Sequence, residues 1–302
     1  MQEAIAFKSA GQPIAGLLNI PDDYVTGQLR PAIILLHGFG SSKDANNMKA
    51  PAKMFAKWGY VVLRFDRRGC GGSGGEPGLN LCPEHVEDTL NAVTWLAARP
   101  EVAPERVAVL GTSFGGAIAT YATGVDKRIA AVISVCGWSD GKRKLRGQHP
   151  SEEAWAKFLR TLNEGKQHRA RTGRSLMMSR YDIVPIPPEM RNSLASNARM
   201  EFPVETAQSI FDFRPDDVIP DIAPRPALFL HAAPDTVTPT EESIEMFQRA
   251  KPPAELHLFH GVDHFLLGED NPRVIEMLRG WLTVNFPPAA GSTTEGPRRA
   301  SQ

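Results

Sequence analysis

Gly111-Thr112-Ser113-Phe114-Gly115 is the stretch whose residue types and spacing could do chemistry. A serine on a sharp strand-to-helix corner holds its hydroxyl clear of the backbone, and glycines two residues to either side let strand and helix meet closely. The first N–H groups of the following helix point toward the same spot, so a negative charge forming beside Ser113 is met by donors. That arrangement suits acyl transfer. Its flanks agree: residues 107–110 are apolar and read as a short buried strand, and the small-residue run from Phe114 onward reads as a helix.

A serine hydroxyl is a weak nucleophile until a base takes its proton, and the base needs a third group to hold its tautomer. On a sheet of alternating strands and helices the expected chain order is serine, acid, histidine. Asp235 follows the apolar run 226–231 by a short turn, and His264 follows the run 255–259 in the same way. Asp235 would accept a hydrogen bond from one nitrogen of His264, whose other nitrogen faces Ser113. Asp263 is read as structural, because neighbouring side chains in an extended loop point apart. His37 is read as an anchor for its own loop rather than as a reacting group, and Asp66 also stands at a strand end.

The elements that must position these residues follow from periodicity. Residues 5–9 and 13–20 read as an opening hairpin, and 31–38, 60–65, 107–110, 129–136, 226–231 and 255–259 as strands. Helices are expected over 47–58, 83–98, 241–250 and 272–284. Strands alternating with helices give an α/β fold, a doubly wound, mostly parallel sheet that binds ligands at the carboxyl ends of its strands. The alternation is interrupted over 137–222, which has no strand-like apolar run but has amphipathic pieces such as 151–163, with Trp155, Phe158, Leu159 and Leu162 on one side. The chain therefore divides into a core (1–136 and 223–286), an inserted helical cap (137–222) and a Pro-, Gly-, Ser- and Thr-rich tail (287–302) expected to be disordered.

Composition excludes several classes. The formal net charge is +0 at pH 7, which removes the electrostatic footprint of a nucleic-acid binder. No apolar run approaches a membrane span, and the first residues have neither a basic nor an apolar leader region, so a cytoplasmic location is expected. Cys70, Cys82 and Cys136 are odd in number and scattered, which suits reduced thiols. Gly69 to Gly74 literally fits G-x-G-x-x-G, but Pro77, Gly78 and Pro83 delay the helix that a dinucleotide site requires. His257, His260 and His264 with Asp263 suggest a metal cluster only until strand geometry is considered, since residues three apart diverge. No cofactor and no metal are expected. The expected partner is a small-molecule substrate, with the oligomeric state, a homodimer among the options, left open.

The pieces HGFG (37–40), DRRGCGGS (66–73), GTSFGG (111–116), HAAPD (231–235) and GVDH (261–264) occur in an order that resembles the α/β-hydrolase fold serine hydrolases, and the likeness covers most of the chain apart from 137–222. The resemblance implies Ser113, Asp235 and His264 as a catalytic triad and the backbone N–H groups of Phe39 and Phe114 as an oxyanion hole. It departs from the pattern at Ala232, where a glycine is common. The implied activity is hydrolysis of a small carboxylic ester, with amidase, thioesterase, peptidase and C–C bond hydrolase as alternatives on the same machinery and a non-catalytic ligand receptor as a reading from another class. A serine at the elbow argues against dehalogenase and epoxide hydrolase chemistry, which uses an aspartate there.

The first half of the insertion carries eleven cations from Lys142 to Arg180 against four acids, and the second half turns acidic. Two halves attracting each other, or a solvated face, explain this asymmetry; the sharper alternative is steering of an anionic substrate. The run 181–188 is stiff and apolar at its centre, as a pocket wall or a hinge would be. An imidazole of ordinary pKa, about 6.5, must be neutral to act as a base, so activity is expected to fade below roughly pH 6. Flat activity down to about pH 4 in a pH–rate profile would contradict a histidine base.

Overall fold

The continuous apolar runs become the central strands of an eight-stranded sheet, and the interruptions between them become its helices. The computed structural model describes residues 1–193, 198–267 and 271–288. In chain order the elements are β1 (Gln2–Ser9), β2 (Gln12–Asn19), β3 (Arg30–Leu36), α1 (Asn46–Lys57), β4 (Val61–Phe65), α2 (Cys82–Ala97), β5 (Val102–Thr112), α3 (Phe114–Val125), β6 (Ile129–Val135), α4 (Gly141–Gln148), α5 (Glu152–Thr172), β7 (Met177–Ser179), α6 (Arg180–Ile183), β8 (Glu201–Pro203), α7 (Val204–Asp212), β9 (Ala227–Ala232), α8 (Glu241–Arg249), β10 (Ala254–Phe259) and α9 (Pro272–Asn285). The sheet order is β1-β2-β4-β3-β5-β6-β9-β10. The two pairings that involve β2 are antiparallel and the rest are parallel.

Period-two alternation sorts the strand residues onto two faces. Ile34, Leu36, Leu63 and Val109 join one apolar cluster with Val93 and Leu96 of α2 and Ala117 and Ile118 of α3. Ile33, Leu35, Val62 and Leu110 join the other with Met48 and Phe55 of α1 and Leu278 and Trp281 of α9. Helices therefore cover both faces, which is why the strands read as unbroken apolar runs. Among the described residues no helix is long and apolar enough to cross a membrane.

Residues 137–222 lie between β6 and β9, and several of their side chains, among them Phe158, Ile183, Phe202 and Ile210, bury into the same cluster as α2 and α3. Helix α5 runs well beyond the amphipathic piece. Ser151 caps it by accepting from the Ala154 N–H (3.1 Å), and Gly173, in the left-handed region at φ 70°, ends it. Its last turns are polar and solvent-facing, so they carry no apolar period. The segment also holds a short antiparallel ribbon, Met177–Ser179 against Glu201–Pro203, where the sequence suggests no strand. Three residues per strand are too few to leave an alternation.

Ion pairs join the basic half of this segment to its acidic half: Arg143 to Asp216 (3.1 Å), Arg169 to Glu205 (3.2 Å) and Lys157 to Asp182 (3.6 Å). Part of the charge asymmetry thus resolves into contacts within the insertion, while Arg143 also pairs with Glu242 of α8 (2.7 Å); of the eleven cations of the basic half only Arg180 lines the large cleft described below, with Arg199 of the acidic half beside it. From residue 289 onward the tail lies outside the described residues.

The elbow has no room for a side chain at either of its glycines. A methyl group on Gly115 would stand 2.7 Å from the His37 carbonyl oxygen, and one on Gly111 would stand 2.6 Å from Gly116 N. Gly115→Ala is expected to cost about 2–4 kcal/mol in urea unfolding, through overpacking that neither β3 nor β5 can relieve. Gly280, exposed in α9 with nothing near its missing Cβ, is the control: Gly280→Ala should gain about 0.5–1 kcal/mol from helix propensity. A Gly115→Ala protein as stable as its parent would show that the elbow contact can relax.

Candidate active site

Ser113 sits between the last residue of β5 and the first of α3, with φ 54° and ψ −119°. A side chain in that region is strained by about 1–3 kcal/mol, and the surroundings must hold it there. They do so through three hydrogen bonds: Ser113 N–H donates to Val135 O (2.8 Å), and the N–H groups of Gly116 (2.8 Å) and Ala117 (3.3 Å) donate to Ser113 O. The loop after β3 lies against the corner, so that a Cβ on Gly38 would be 3.6 Å from Ser113 Cβ.

The three residues singled out by position meet at the carboxyl ends of their strands. Ser113 Oγ is 2.8 Å from His264 Nε2, and His264 Nδ1 is 2.7 Å from Asp235 Oδ2. With the proton on Nδ1, His264 donates to the carboxylate and accepts from the hydroxyl. Asp263 does not compete. Its carboxylate accepts from the Thr236 N–H (3.0 Å), the Thr236 hydroxyl (2.8 Å) and the His264 N–H (2.7 Å), which ties the acid loop to the histidine loop.

The Asp235 side chain is fully buried and surrounded by donors. Its Oδ1 accepts from the N–H groups of Val237 (2.7 Å) and Thr238 (2.8 Å), and His231 Nε2 lies 3.2 Å from Oδ2. Burial works to raise its pKa, but His264 opposite it and the hydrogen bond from His231 outweigh that and hold the carboxyl well below the usual range. The residue-type pattern gave no separate role to His231. Its position four residues before Asp235, at the buried end of β9, is the signal that could have drawn attention to it. His231 is itself fixed by Ser243 Oγ at Nδ1 (2.6 Å). Cys136, buried at the end of β6, brings its thiol to the same spot: one ligand-type atom each from Cys136, Asp235 and His264 lie within 4.8 Å of one another.

His37 is buried beneath the loop it begins. Its Nδ1 is 2.9 Å from Gly38 O, Arg67 donates to its carbonyl, and burial followed by the nearby Arg67 charge pushes its pKa down to about 3. It does not reach Ser113. Asp66 likewise serves structure, accepting from the N–H groups of Lys43 (2.7 Å) and Gly72 (2.9 Å) and from the Lys43 ammonium (3.0 Å). His257 pairs with Glu255 on the surface (3.4 Å).

Phe114 turns its ring inward, between the Arg67 guanidinium (5.1 Å) and the edge-on His85 ring (5.6 Å), near Phe39 (6.1 Å) and Trp138 (6.3 Å). The α3 terminus is thereby packed rather than exposed. Ser113 and His264 open onto a cleft of about 1480 Å³, roofed in part by Val184, Ile186 and Met190. The apolar run 181–188 therefore contributes a wall to it.

The family model of the serine aminopeptidases, S33, matches residues 27–271. The chain belongs to that family, and its fold is that of the α/β-hydrolases, with a hydrolytic enzyme as the consequence. It is similar to the polyketide transferase grgF of a Penicillium species, 28% identical over 260 residues that cover 80% of this chain and 83% of the relative. It is also similar to the thiohydrolase aneE of Aspergillus aculeatus, 27% identical over 267 residues, 82% of this chain and 83% of the relative. The crystal structure of the α/β hydrolase GrgF from Penicillium superposes with a TM-score of 0.80 at 25% identity, covering 94% of this chain and 99% of that one.

Because its folded-state pKa lies below the ordinary value, Asp235 stabilises the fold above about pH 4 and loses that contribution only as the pH falls further. It stays ionised wherever the enzyme works. Asp235→Asn is expected to lower kcat by roughly 10³–10⁴-fold by releasing the imidazole tautomer. The acid limb of wild-type kcat/KM should follow a single ionisation. A second acidic step above about pH 3 would mean that Asp235 titrates and that its surroundings do not hold the charge.

Proposed function

We propose that the protein is a serine hydrolase that cleaves a small-molecule carboxylic ester through an acyl-enzyme at Ser113. The observation that carries this reading is the unbroken chain Ser113 Oγ, His264 Nε2, His264 Nδ1, Asp235 Oδ2, at 2.8 and 2.7 Å. In the first half-reaction His264 takes the Ser113 proton as the oxygen attacks the acyl carbonyl, and returns it to the leaving alcohol. In the second it takes a proton from the water that attacks the acyl carbonyl and returns it to Ser113 Oγ as the Oγ–acyl bond breaks, which releases the acid and restores the serine. Asp235 holds the imidazole in the required tautomer. The N–H of Phe39 and the N–H of Phe114 are the oxyanion donors in this scheme, supported by the closeness of the 37–40 loop to Ser113 and by the helix that begins at Phe114.

The cleft supports an acyl or leaving group of more than minimal size. Val184, Ile186, Met190, Phe202, Val237 and Leu267 supply an apolar lining. In this reading residues 137–222 act as a cap that selects the substrate. The ion-paired cations of the cap are engaged within the cap or with the core, and this reading does not call for an anionic substrate. The buried free thiols Cys70, Cys82 and Cys136 support a cytoplasmic setting.

A second reading, thioester cleavage or transfer of the acyl group to an acceptor other than water, is favoured by the names of the relatives, a thiohydrolase and a polyketide transferase. The same acyl-enzyme serves it, and only the leaving group and the acceptor differ. A fluorophosphonate probe should label the protein, with labelling lost in Ser113→Ala. Absence of labelling in the wild type would overturn the acyl-enzyme and leave a non-catalytic ligand-binding role. A panel of p-nitrophenyl esters of increasing chain length, beside a thioester and an amide, then separates the readings. Thioester turnover exceeding that of every ester by tenfold or more in kcat/KM, about 1.4 kcal/mol in barrier, would replace the ester reading.

A further inference from the structure

Arg180 opens α6 in the inserted segment and is buried, 4% exposed, yet makes no ion pair with a carboxylate among the described residues. A guanidinium taken out of water without an anionic partner is costly and needs a reason. Its donors go to backbone oxygens: Nη2 to Phe39 O (2.8 Å), and Nη1 to Gly40 O (3.4 Å) and Arg199 O (3.3 Å). Its plane lies over the Phe39 ring, 5.4 Å from the centroid, and Phe202 of β8 packs on the same ring at 4.4 Å. Gly40, at φ 57°, leaves the room that the Arg180 guanidinium and the Phe202 ring fill. Nε is buried and has no acceptor among the described residues.

The underside of the same turn is held by a second arginine. Arg67, 1% exposed and also without a carboxylate partner among the described residues, donates to His37 O. Gly38 O faces His37 Nδ1 at 2.9 Å and the Ser41 N–H at 3.4 Å. Each carbonyl from His37 to Gly40 therefore has a donor, and the Phe39 N–H has no partner among the described residues. Because their acceptors are carbonyls, neither guanidinium is held in an ion pair among the described residues, although the buried carboxylates of Asp66 and Asp88 act on Arg67 at longer range. A directly paired carboxylate would weaken the positive field beside the place where an oxyanion would form.

We propose that Arg180 is the positioning residue of the oxyanion hole: by holding the Phe39 and Gly40 carbonyls from the inserted segment, it fixes the turn that aims the Phe39 N–H, and so couples docking of that segment to the chemistry at Ser113. This rests on the acyl-enzyme reading above. Displacing a donor by loosening its loop costs less than deleting it, so the expected loss lies below the 10²–10³-fold typical of a missing oxyanion donor.

The test compares the wild type with Arg180→Met and Arg180→Lys on one p-nitrophenyl ester, with an alkylboronate as a tetrahedral-adduct inhibitor and a fluorophosphonate as an active-site label. Arg180→Met is expected to lower kcat by roughly 10–100-fold with KM changed less than about threefold, and to weaken the boronate by the same factor as kcat. Arg180→Lys, able to reach one carbonyl instead of two, should recover part of both losses. Urea unfolding separates a folded variant from an unfolded one. If Arg180→Met does not fold, Arg180→Lys decides alone, and wild-type kcat and boronate affinity in that variant overturn the proposal. A folded Arg180→Met with unchanged kcat, or with a loss confined to KM, also overturns it, because a merely structural or substrate-binding role gives those results. Failure of the wild type itself to label defeats the acyl-enzyme reading instead, which keeps the two failures apart.

Discussion

The backbone of Ser113, turned to φ 54° where a side chain is disfavoured, is the constraint on which the rest of the structure depends. Strand β5 must stop and α3 must start within one residue, and the two can do so only if nothing projects from Gly111 or Gly115. Gly116 extends the requirement to β6, where a methyl group would stand 2.7 Å from Ser134 Oγ. The strain is opposed from the sheet by the Ser113 N–H bond to Val135 O and from the apolar face by the ring of Phe114, 2% exposed. In exchange the hydroxyl stands at the carboxyl edge of the sheet, where the loops after β3, β9 and β10 converge.

Around that corner the structure uses two opposite electrostatic solutions. On the acid side, one carboxylate is surrounded by N–H donors and two imidazoles, so Asp235 keeps its negative charge although it is buried. At the turn after β3, two guanidiniums are given carbonyl oxygens rather than carboxylates as hydrogen-bond acceptors. Negative charge on one flank of His264 and positive charge on the far side of Ser113 match the charge separation that builds up when an imidazole takes a serine proton and an acyl oxygen becomes anionic. Both solutions are fixed before any substrate arrives, and preorganisation of this kind avoids reorganising dipoles during the reaction.

The sequence discloses the parts of this design that rest on local patterns. Central strands buried on both faces read as unbroken apolar runs, and the elbow reads from its glycines, because steric exclusion over five residues is written in five letters. Asp235 and His264 are legible from their place after a strand. His231, Arg67 and Arg180 are not, since each acts on a residue it meets only in the folded chain: Arg180 lies 141 positions from Phe39. A buried arginine without an acid looks, in sequence, like any surface arginine. The ribbon of β7 and β8 is hidden for a different reason, being too short for period two to emerge, although Met178, Phe202 and Pro203 are its buried members.

The inserted segment is held to the core by two kinds of contact. Its charged side chains pair across its own two halves at Lys157 and Arg169, partly exposed contacts of small individual worth, and Arg143 joins buried Asp216 to buried Glu242 of α8. Its apolar residues instead bury against α2 and α3, and removing that apolar surface from water fixes the segment to the core more strongly than the ion pairs do. Substitution of Val184, Ile186 or Met190 could therefore reshape the cleft with the core contacts of Phe158 and Ile210 left in place. Arg180 and Phe202 are the exception, since they belong to the cleft wall and grip the turn after β3 together. Change at those two positions reaches the reacting centre, and the neighbouring wall can vary around them.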